Sequence, residues 1–459
     1  MSEQLLSVGL DVGTTTTQLI VSRLTLENRA SGFAVPHMQI ADRQILYESD
    51  VHFTPLLGDS LVDGDGIRRL VAAEYQKAGI RREQVDTGAV IVTGETSRKE
   101  NAESVARALS EFAGDFVVTT AGPALESVLA ARGAGAVAFS EATNAPVLHM
   151  DIGGGTANLA LIRDGQILRA GCMNVGGRLI KRDKTGAITY VSPVIEKLCK
   201  LKPGDIPSPS QLQALAGLLT RGLEMAAGLR QPDELLEALW TKECGPVWEL
   251  PKSGAVISFS GGVADCIAAA LPPDQFGDIG PQLGSAIRDS LLCAGAYRIG
   301  SQTIRATVIG AGCHSASLSG STVYCAGARL PVKDLPAVVL TEKEQDLPPE
   351  KLGNTLREKL SRQDGPSVIA LRGFASPGYS QVCRLAEGIA KGITGRQVYL
   401  ALMQDMAKAL GQALALRLPE GSSIVCLDGV PLADGSYLDI GKPVGPCLPV
   451  VIKTLIFER

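Results

Sequence analysis

A strand, a glycine/threonine turn and a second strand occur twice in this chain, offset by the same 140 residues (151 − 11). Asp11 aligns with Asp151, Gly13 with Gly153, Thr16 with Thr156 and Leu19 with Leu159, in a gapless ten-residue match. A constant offset points to an internally duplicated domain and so to two related halves. Each copy carries what gripping a phosphate needs. Gly13, and Gly153, Gly154 and Gly155 in the second copy, allow tight turns and close approach of backbone N–H groups. Thr14, Thr15, Thr16 and Thr17, and Thr156 opposite, set hydroxyls beside those amides. Asp11 and Asp151 stand at strand ends, where a carboxylate can hold hydrated Mg²⁺ together with substrate phosphates.

One hairpin of this kind alone reads as a structural turn. Two in matching context, one per half, read as facing walls of a single phosphate site. The chain contains its own control: Leu438-Asp-Ile-Gly441 repeats the short pattern, but Lys442 and Pro443 follow. There the hydroxyl row is missing and Pro removes an amide, so that turn reads as structural.

At 459 residues the chain exceeds one ordinary core and suits two or three domains. It is 45% hydrophobic with 51 Gly, the profile of an α/β protein rich in tight turns. A net charge of −4 argues against nucleic acid as a partner, since phosphate neutralisation needs clustered Lys and Arg. The N-terminus runs straight into strand-like sequence, so no secretory signal is expected. No run reaches the ~20 apolar residues of a spanning helix, so no membrane association is expected. Ten cysteines without a C-x-x-C pair read as reduced thiols of a cytoplasmic protein.

Apolar runs predict strands at Leu5–Leu10, Gln18–Leu24 and Gln44–Phe53, then a helix at Gly66–Ala78. Strand Ala89–Val92, helix Ala102–Phe112, strand Phe116–Thr119 and helix Ala124–Arg132 follow. The second copy opens at Val147–Ile152 and continues through Asn158–Ile162 and Gln166–Gly171. Residues Ile195 to Trp240 read as mostly helical. A strand at Ala255–Phe259 enters Ser-Gly-Gly, and a further strand at Ile304–Ile309 is expected to enter a turn, Gly310-Ala-Gly-Cys-His314. The remainder reads as strand Val368–Leu371, helices Gln381–Ile393 and Val398–Leu416, and strand Ile424–Leu427. The expected units are 1–146, 147–330 and 331–459.

Asp11–Thr17 resembles the phosphate 1 motif, and Asp151–Thr156 the phosphate 2 motif, of the actin, sugar-kinase and heat-shock-chaperone superfamily. Ala121-Gly-Pro-Ala-Leu-Glu-Ser-Val-Leu-Ala-Ala-Arg-Gly133 resembles the connecting helix before phosphate 2, although Gly122 stands where chaperones often carry an acidic residue. The resemblance implies an actin-like (ribonuclease H-like) α/β fold of duplicated ATPase domains with an additional C-terminal α/β unit. It implies ATP and Mg²⁺ as ligands. Phe259-Ser-Gly-Gly-Val-Ala264 resembles the adenosine motif and so assigns Gly261 and Gly262 to the nucleoside, with Gly310–Gly312 as the competing candidate. No G-x-x-x-x-G-K-[ST] is present, so this is no P-loop protein.

Longer strings are similar to the ethanolamine ammonia-lyase reactivating factors: Thr93-Gly-Glu-Thr-Ser-Arg-Lys-Glu-Asn101, Asn174-Val-Gly-Gly-Arg178, and the closing Leu438–Pro443 with Pro449–Phe457. That family implies a Mg-dependent ATPase acting as a molecular chaperone on ethanolamine ammonia-lyase. Damaged cobalamin would be exchanged for intact adenosylcobalamin, which the partner enzyme binds. The ethanolamine bacterial microcompartment is the implied surrounding. The chain lacks a D-x-H-x-x-G cobalamin signature, and His37, His52, His149 and His314 are scattered, so a metal cluster is not expected. Those histidines read as surface or satisfied core residues. Glu95, Arg98 and Lys99 follow a strand and stand where they could reach the cleft. A small-molecule kinase is the alternative, because phosphate-binding residues do not distinguish water from a substrate hydroxyl as acceptor. A filament-forming actin relative has no positive feature.

Overall fold

The computed structural model describes residues 3–13, 16–28, 38–57, 61–93, 101–113, 117–120, 123–241, 255–314, 317–319, 322–363, 365–443 and 447–454. Two sheets carry the duplication. In the first, strands Glu3–Val12, Thr16–Asn28, Met38–Glu48, Thr87–Val92 and Val117–Thr120 lie in the order third, second, first, fourth, fifth. In the second, Val147–Ile152, Ala157–Arg163, Gln166–Met173, Val256–Ser260 and Tyr297–Ile299 lie in the same order. Within each, the first two hairpins are antiparallel and the fourth strand runs parallel to the first. This repeated order is that of the ribonuclease H-like halves the sequence implied.

Local chemistry explains the elements. Val147–Ile152 and Thr87–Val92 are buried along their whole length, as strands covered on both faces must be. The helix Gly64–Ala78 begins where the Asp63 carboxylate accepts the Gly66 N–H at 2.9 Å and stops at Gly79, whose φ of 68° suits glycine. Ser208 and Gln211 form a capping box that starts the helix Pro209–Ala226.

Two helices cross between the halves. Pro123–Gly133 follows the last strand of the first sheet yet packs on the first three strands of the second. Ala306–His314 follows the last strand of the second sheet yet packs on Glu3–Val12, Thr16–Asn28 and Thr87–Val92 of the first. The two helices also pack on each other through bare backbone. A β-carbon on Gly133 would lie 1.9 Å from the Ala306 carbonyl oxygen, and one on Gly310 would lie 2.1 Å from that of Leu129. This corrects the expected strand at Ile304–Ile309 and the turn at Gly310–His314, which are one helix from Ala306. A run this short has no periodicity that separates strand from helix.

The third unit is an eight-stranded sheet covered on one face by helices Pro349–Leu360, Tyr379–Gly392 and Ala407–Ala415. Its members include Ser317–Leu318 and Tyr324–Ala326, so it recruits chain upstream of residue 331. The expected helix Val398–Leu416 is instead a buried strand, Gln397–Leu402, followed by the helix Ala407–Ala415. Two small clusters tie this unit to the first half: Val451 packs with Ala89, Ile91, Leu129 and Ala311, and Cys447 with Leu5, Leu24 and Leu26. Among the described residues no helix is long and apolar enough to cross a membrane.

Candidate functional site

The two duplicated hairpins close with the same bond. The Gly13 N–H donates to the Thr16 carbonyl at 2.9 Å, and the Gly153 N–H to the Thr156 carbonyl at 2.9 Å. Register places Asp11 opposite Gln18 and Asp151 opposite Asn158. Both aspartates end the first strand of their sheet, and both face one cavity of about 360 Å³ between the halves. Gly13 and Thr16 line one wall, and Gly153, Gly154, Gly155 and Thr156 the other. Thr14, Thr15 and Gly122 lie outside the described residues, as do Glu95, Arg98 and Lys99.

Gly261 and Gly262 line the same cavity. Gly261 adopts φ +81°, and a β-carbon there would lie 2.3 Å from the Ile152 carbonyl oxygen, so this position tolerates only glycine. A β-carbon on Gly262 would meet nothing within 4 Å. Gly310 and Gly312 do not line it; a β-carbon on Gly312 would lie 2.7 Å from Ile20 Cδ1. Asp439 is buried in the third sheet, where its Oδ1 accepts the Asp334 N–H at 2.7 Å.

Burial in the cleft sets the electrostatics of both aspartates. It pushes the Asp11 carboxyl up to about 7, against a hydrogen bond from Thr93 and with the help of the Asp151 charge. It pushes Asp151 up to about 6, against hydrogen bonds from Ser260, Thr307 and Asn158. Ser260 Oγ donates to Asp151 Oδ1 at 2.5 Å, and Thr307 Oγ1 to Oδ2 at 3.4 Å. Behind Ser260 sits His149, fully buried, with Nε2 at 2.9 Å from Ser260 Oγ and Nδ1 at 3.1 Å from Ser258 Oγ. Burial lowers that imidazole to about 3, so it is neutral.

These residues fit a hydrated dication carrying phosphates. Burial disfavours ionisation of both carboxyls, and the Asp151 charge adds to this at Asp11; a cation between them offsets that penalty. Among the described residues no cluster of three or more His, Cys, Asp or Glu side chains could hold a metal unaided. Mg²⁺ does not ask for one, since it takes one or two carboxylates and keeps its waters. Gln18 Oε1 and Asn158 Oδ1, again 140 residues apart (158 − 18), are buried amide oxygens that accept no hydrogen bond among the described residues. Both residues line the cavity.

Sequence reading passed over several lining residues. Gln18 and Asn158 were visible in the duplicated match, as two amides at one offset. Thr93 and Ser260 lie within strings that carry the resemblance, which gives them no role, and Ser260 stands behind Asp151 rather than in the lining; Thr307 carries no local signature. Arg178 lies within a string of the resemblance; its Nε donates to Asp278 Oδ2 at 3.1 Å and its N–H to the Gly154 carbonyl, bracing the second hairpin. Of the histidines, His52 bonds Glu74 at 3.1 Å, His314 ends its helix, and His37 lies outside the described residues.

A family model described as ethanolamine utilisation protein EutA matches residues 3–458. A protein of Salmonella typhimurium (strain LT2) named ethanolamine ammonia-lyase reactivase EutA is 37% identical over 473 residues, covering 99% of each chain. One of the same name from Escherichia coli (strain K12) is 38% identical over 472 residues, again covering 99% of each. Among solved structures, the ethanolamine utilization protein EutJ of Carboxydothermus hydrogenoformans is similar at 16% identity. That match covers 67% of this chain and 89% of the other, with a TM-score of 0.36.

Proposed function

This chain belongs to the EutA family of ethanolamine utilisation proteins, and we propose from that premise that it is an ATP-dependent reactivating chaperone for ethanolamine ammonia-lyase. The observation that carries the reading is the end-to-end match to two reactivases at 37% and 38% identity. The kinase alternative is not favoured, because those relatives align over 99% of their own length under a reactivase name.

In this reading Asp11 and Asp151 hold hydrated Mg²⁺ from opposite walls. The Gly13–Thr16 and Gly153–Thr156 hairpins grip the phosphates, and Gly261 and Gly262 lie against adenosine. When bound, ATP with Mg²⁺ supplies a bridge between the halves and the free energy of hydrolysis. Arg178, fixed by Asp278, keeps the second hairpin in place while the halves approach. The lyase is opened by preferential binding of its open form, limited by the differential affinity for its two states. Loss of the bridge then changes the surface offered to the lyase and releases it, with damaged cobalamin gone and intact adenosylcobalamin admitted. Cofactor exchange inside the ethanolamine microcompartment is the cellular setting of this proposal.

The test is direct. Purified protein is added to ethanolamine ammonia-lyase locked with an adenosyl-lacking cobalamin, and lyase turnover and released corrinoid are measured together. Recovery should require ATP, Mg²⁺ and free adenosylcobalamin together, and should fail with the Asp151→Asn protein. Recovery without ATP, or none with every component present, refutes the proposal. A phosphorylated small molecule formed in proportion to ATP consumed would establish the kinase instead.

A further inference from the structure

Within strand Val147–Ile152, His149 and Asp151 are two positions apart and so share a face. The parallel neighbour Val256–Ser260 pairs Ser258 with His149 and Ser260 with Asp151. Register alone therefore assembles four polar side chains in a column. His149, Ser258 and Ser260 are 0% exposed and Asp151 6%. On the same face Val147, and Ala160 opposite His149 on the neighbouring strand, are buried and apolar, so a hydrocarbon would satisfy the packing at this position. A buried imidazole is costly unless each ring nitrogen is bonded.

Counting protons permits one arrangement. Ser260 has a single hydroxyl hydrogen, and Asp151 Oδ1, as a carboxylate oxygen, can only accept it. Ser260 Oγ must then accept its contact with His149 at 2.9 Å, which puts hydrogen on Nε2. Nδ1 is left bare and accepts from the Ser258 hydroxyl at 3.1 Å. In the opposite tautomer Nε2 would compete with Asp151 for the Ser260 proton, and the carboxylate would lose its shortest bond.

We propose that His149 is a positioning residue of the nucleotide site: as the Nε2–H tautomer, with Nδ1 accepting from Ser258, it donates to Ser260 Oγ and so keeps the Ser260 hydroxyl pointed at Asp151. With Ser260 on Oδ1 and Thr307 on Oδ2, both carboxylate oxygens are pinned. Their remaining lone pairs meet the cavity in one orientation, where the waters around Mg²⁺ must be received. The inference rests on Asp151 facing the hydrated cation.

Two measurements on the full-length protein test it. The first is ¹⁵N NMR of histidine-labelled protein, which should give for His149 a protonated Nε2 and a bare Nδ1. The second is calorimetry of a non-hydrolysable ATP analogue with and without Mg²⁺. His149→Leu and Ser260→Ala should each weaken Mg²⁺-dependent binding by ~10-fold, the scale of one bond to a charged group. Binding with chelator present should not change. The double variant should be no weaker than either single one, because both act through the same bond. His149→Gln, which keeps an N–H near the Nε2 position, should restore most of the loss. A histidine that only fills space would lower the melting temperature of His149→Leu and leave the Mg²⁺-dependent part untouched. A protonated Nδ1, undiminished Mg²⁺-dependent binding in Ser260→Ala, or additive losses would overturn the proposal. Wild-type protein that binds no nucleotide would instead refute the reading of the cavity, and the nitrogen signals would then decide the role of His149 alone.

Discussion

Thr93 donates a hydrogen bond from Oγ1 to Oδ1 of Asp11 across 3.0 Å. It is the hydrogen bond that opposes burial at this carboxylate, whereas Asp151 has Ser260, Thr307 and Asn158. The duplicated aspartates are thus unequally partnered, while burial pushes both carboxyls up. Thr93→Val keeps the shape and removes the donor. It should weaken Mg²⁺-dependent nucleotide binding by about 10-fold or more, the range for a bond to a charged group. Calorimetry of the variant checks this, and an unchanged affinity would show that Asp11 needs no partner.

Burial of the two acids carries a stability cost with a definite sign. Each holds its proton more tightly folded than unfolded, so its contribution is fully present below about 4 and is lost as pH rises through about 6 for Asp151 and about 7 for Asp11. Metal-free protein should therefore melt at lower temperature at pH 8 than at pH 5 through these groups. Asp11→Asn should raise the melting temperature at pH 8 by about 2–4 °C, with the difference shrinking towards pH 5. The same variant should lose ATP hydrolysis. Melting curves with chelator present, taken in steps of pH, read out the first effect. A stability gain that is independent of pH would contradict the assignment.

The glycines divide by what a methyl group would strike. Gly261→Ala meets the Ile152 carbonyl at 2.3 Å from a φ of +81°, so it should destabilise the fold itself. Gly262→Val enters open cavity and should lower ATP affinity with little change in melting temperature. Gly312→Ala presses on Ile20 and should do the reverse. Melting and calorimetry on the three variants separate the roles. Loss of ATP affinity confined to the Gly312 variant would move adenosine to the helix Ala306–His314.

A fragment ending at residue 314 should bind nucleotide but no longer reactivate the lyase. It should melt earlier than the whole chain, because removing Cys447 and Val451 opens two small clusters on the first half. Ending at 330 should be worse, since Tyr324–Ala326 would lose Ser423–Leu427, its partner in the sheet, and leave an open edge. Size-exclusion chromatography with calorimetry on both fragments tests this. A folded 1–314 fragment that binds no nucleotide would assign part of the ATP site to the third unit.

The sequence disclosed what is local. The hairpins around Gly13 and Gly153 are written in adjacent residues, so both walls of the cavity and the strands that lead into them could be read directly. Ser258 and Ser260 lie 109 residues from His149 and Asp151, and only parallel register brings them together. His149 therefore read as an ordinary core histidine, which it is, without showing whom it serves. The strand–helix confusions at Ile304–Ile309 and Val398–Leu402 have the same origin. Both stretches are too short for their apolar residues to show a period, and packing rather than pattern decides the backbone. Gly310 and Gly312 suggested a ligand turn because glycine also marks close backbone approach, here against Leu129 and Gly9.

The crossing helices bear on how the molecule assembles during synthesis. The first sheet is complete in hydrogen bonds by Thr120, yet the helix that covers Glu3–Val12 and Thr87–Val92 is translated nearly two hundred residues later, at Ala306–His314. Until then its apolar face is uncovered on the ribosome. The second sheet, by contrast, finds Pro123–Gly133 already waiting when its strands emerge. The later half is thus the first able to finish, and the earlier half matures only in its company. Melting should then be a single event for both, because loss of either half strips the other of its cover.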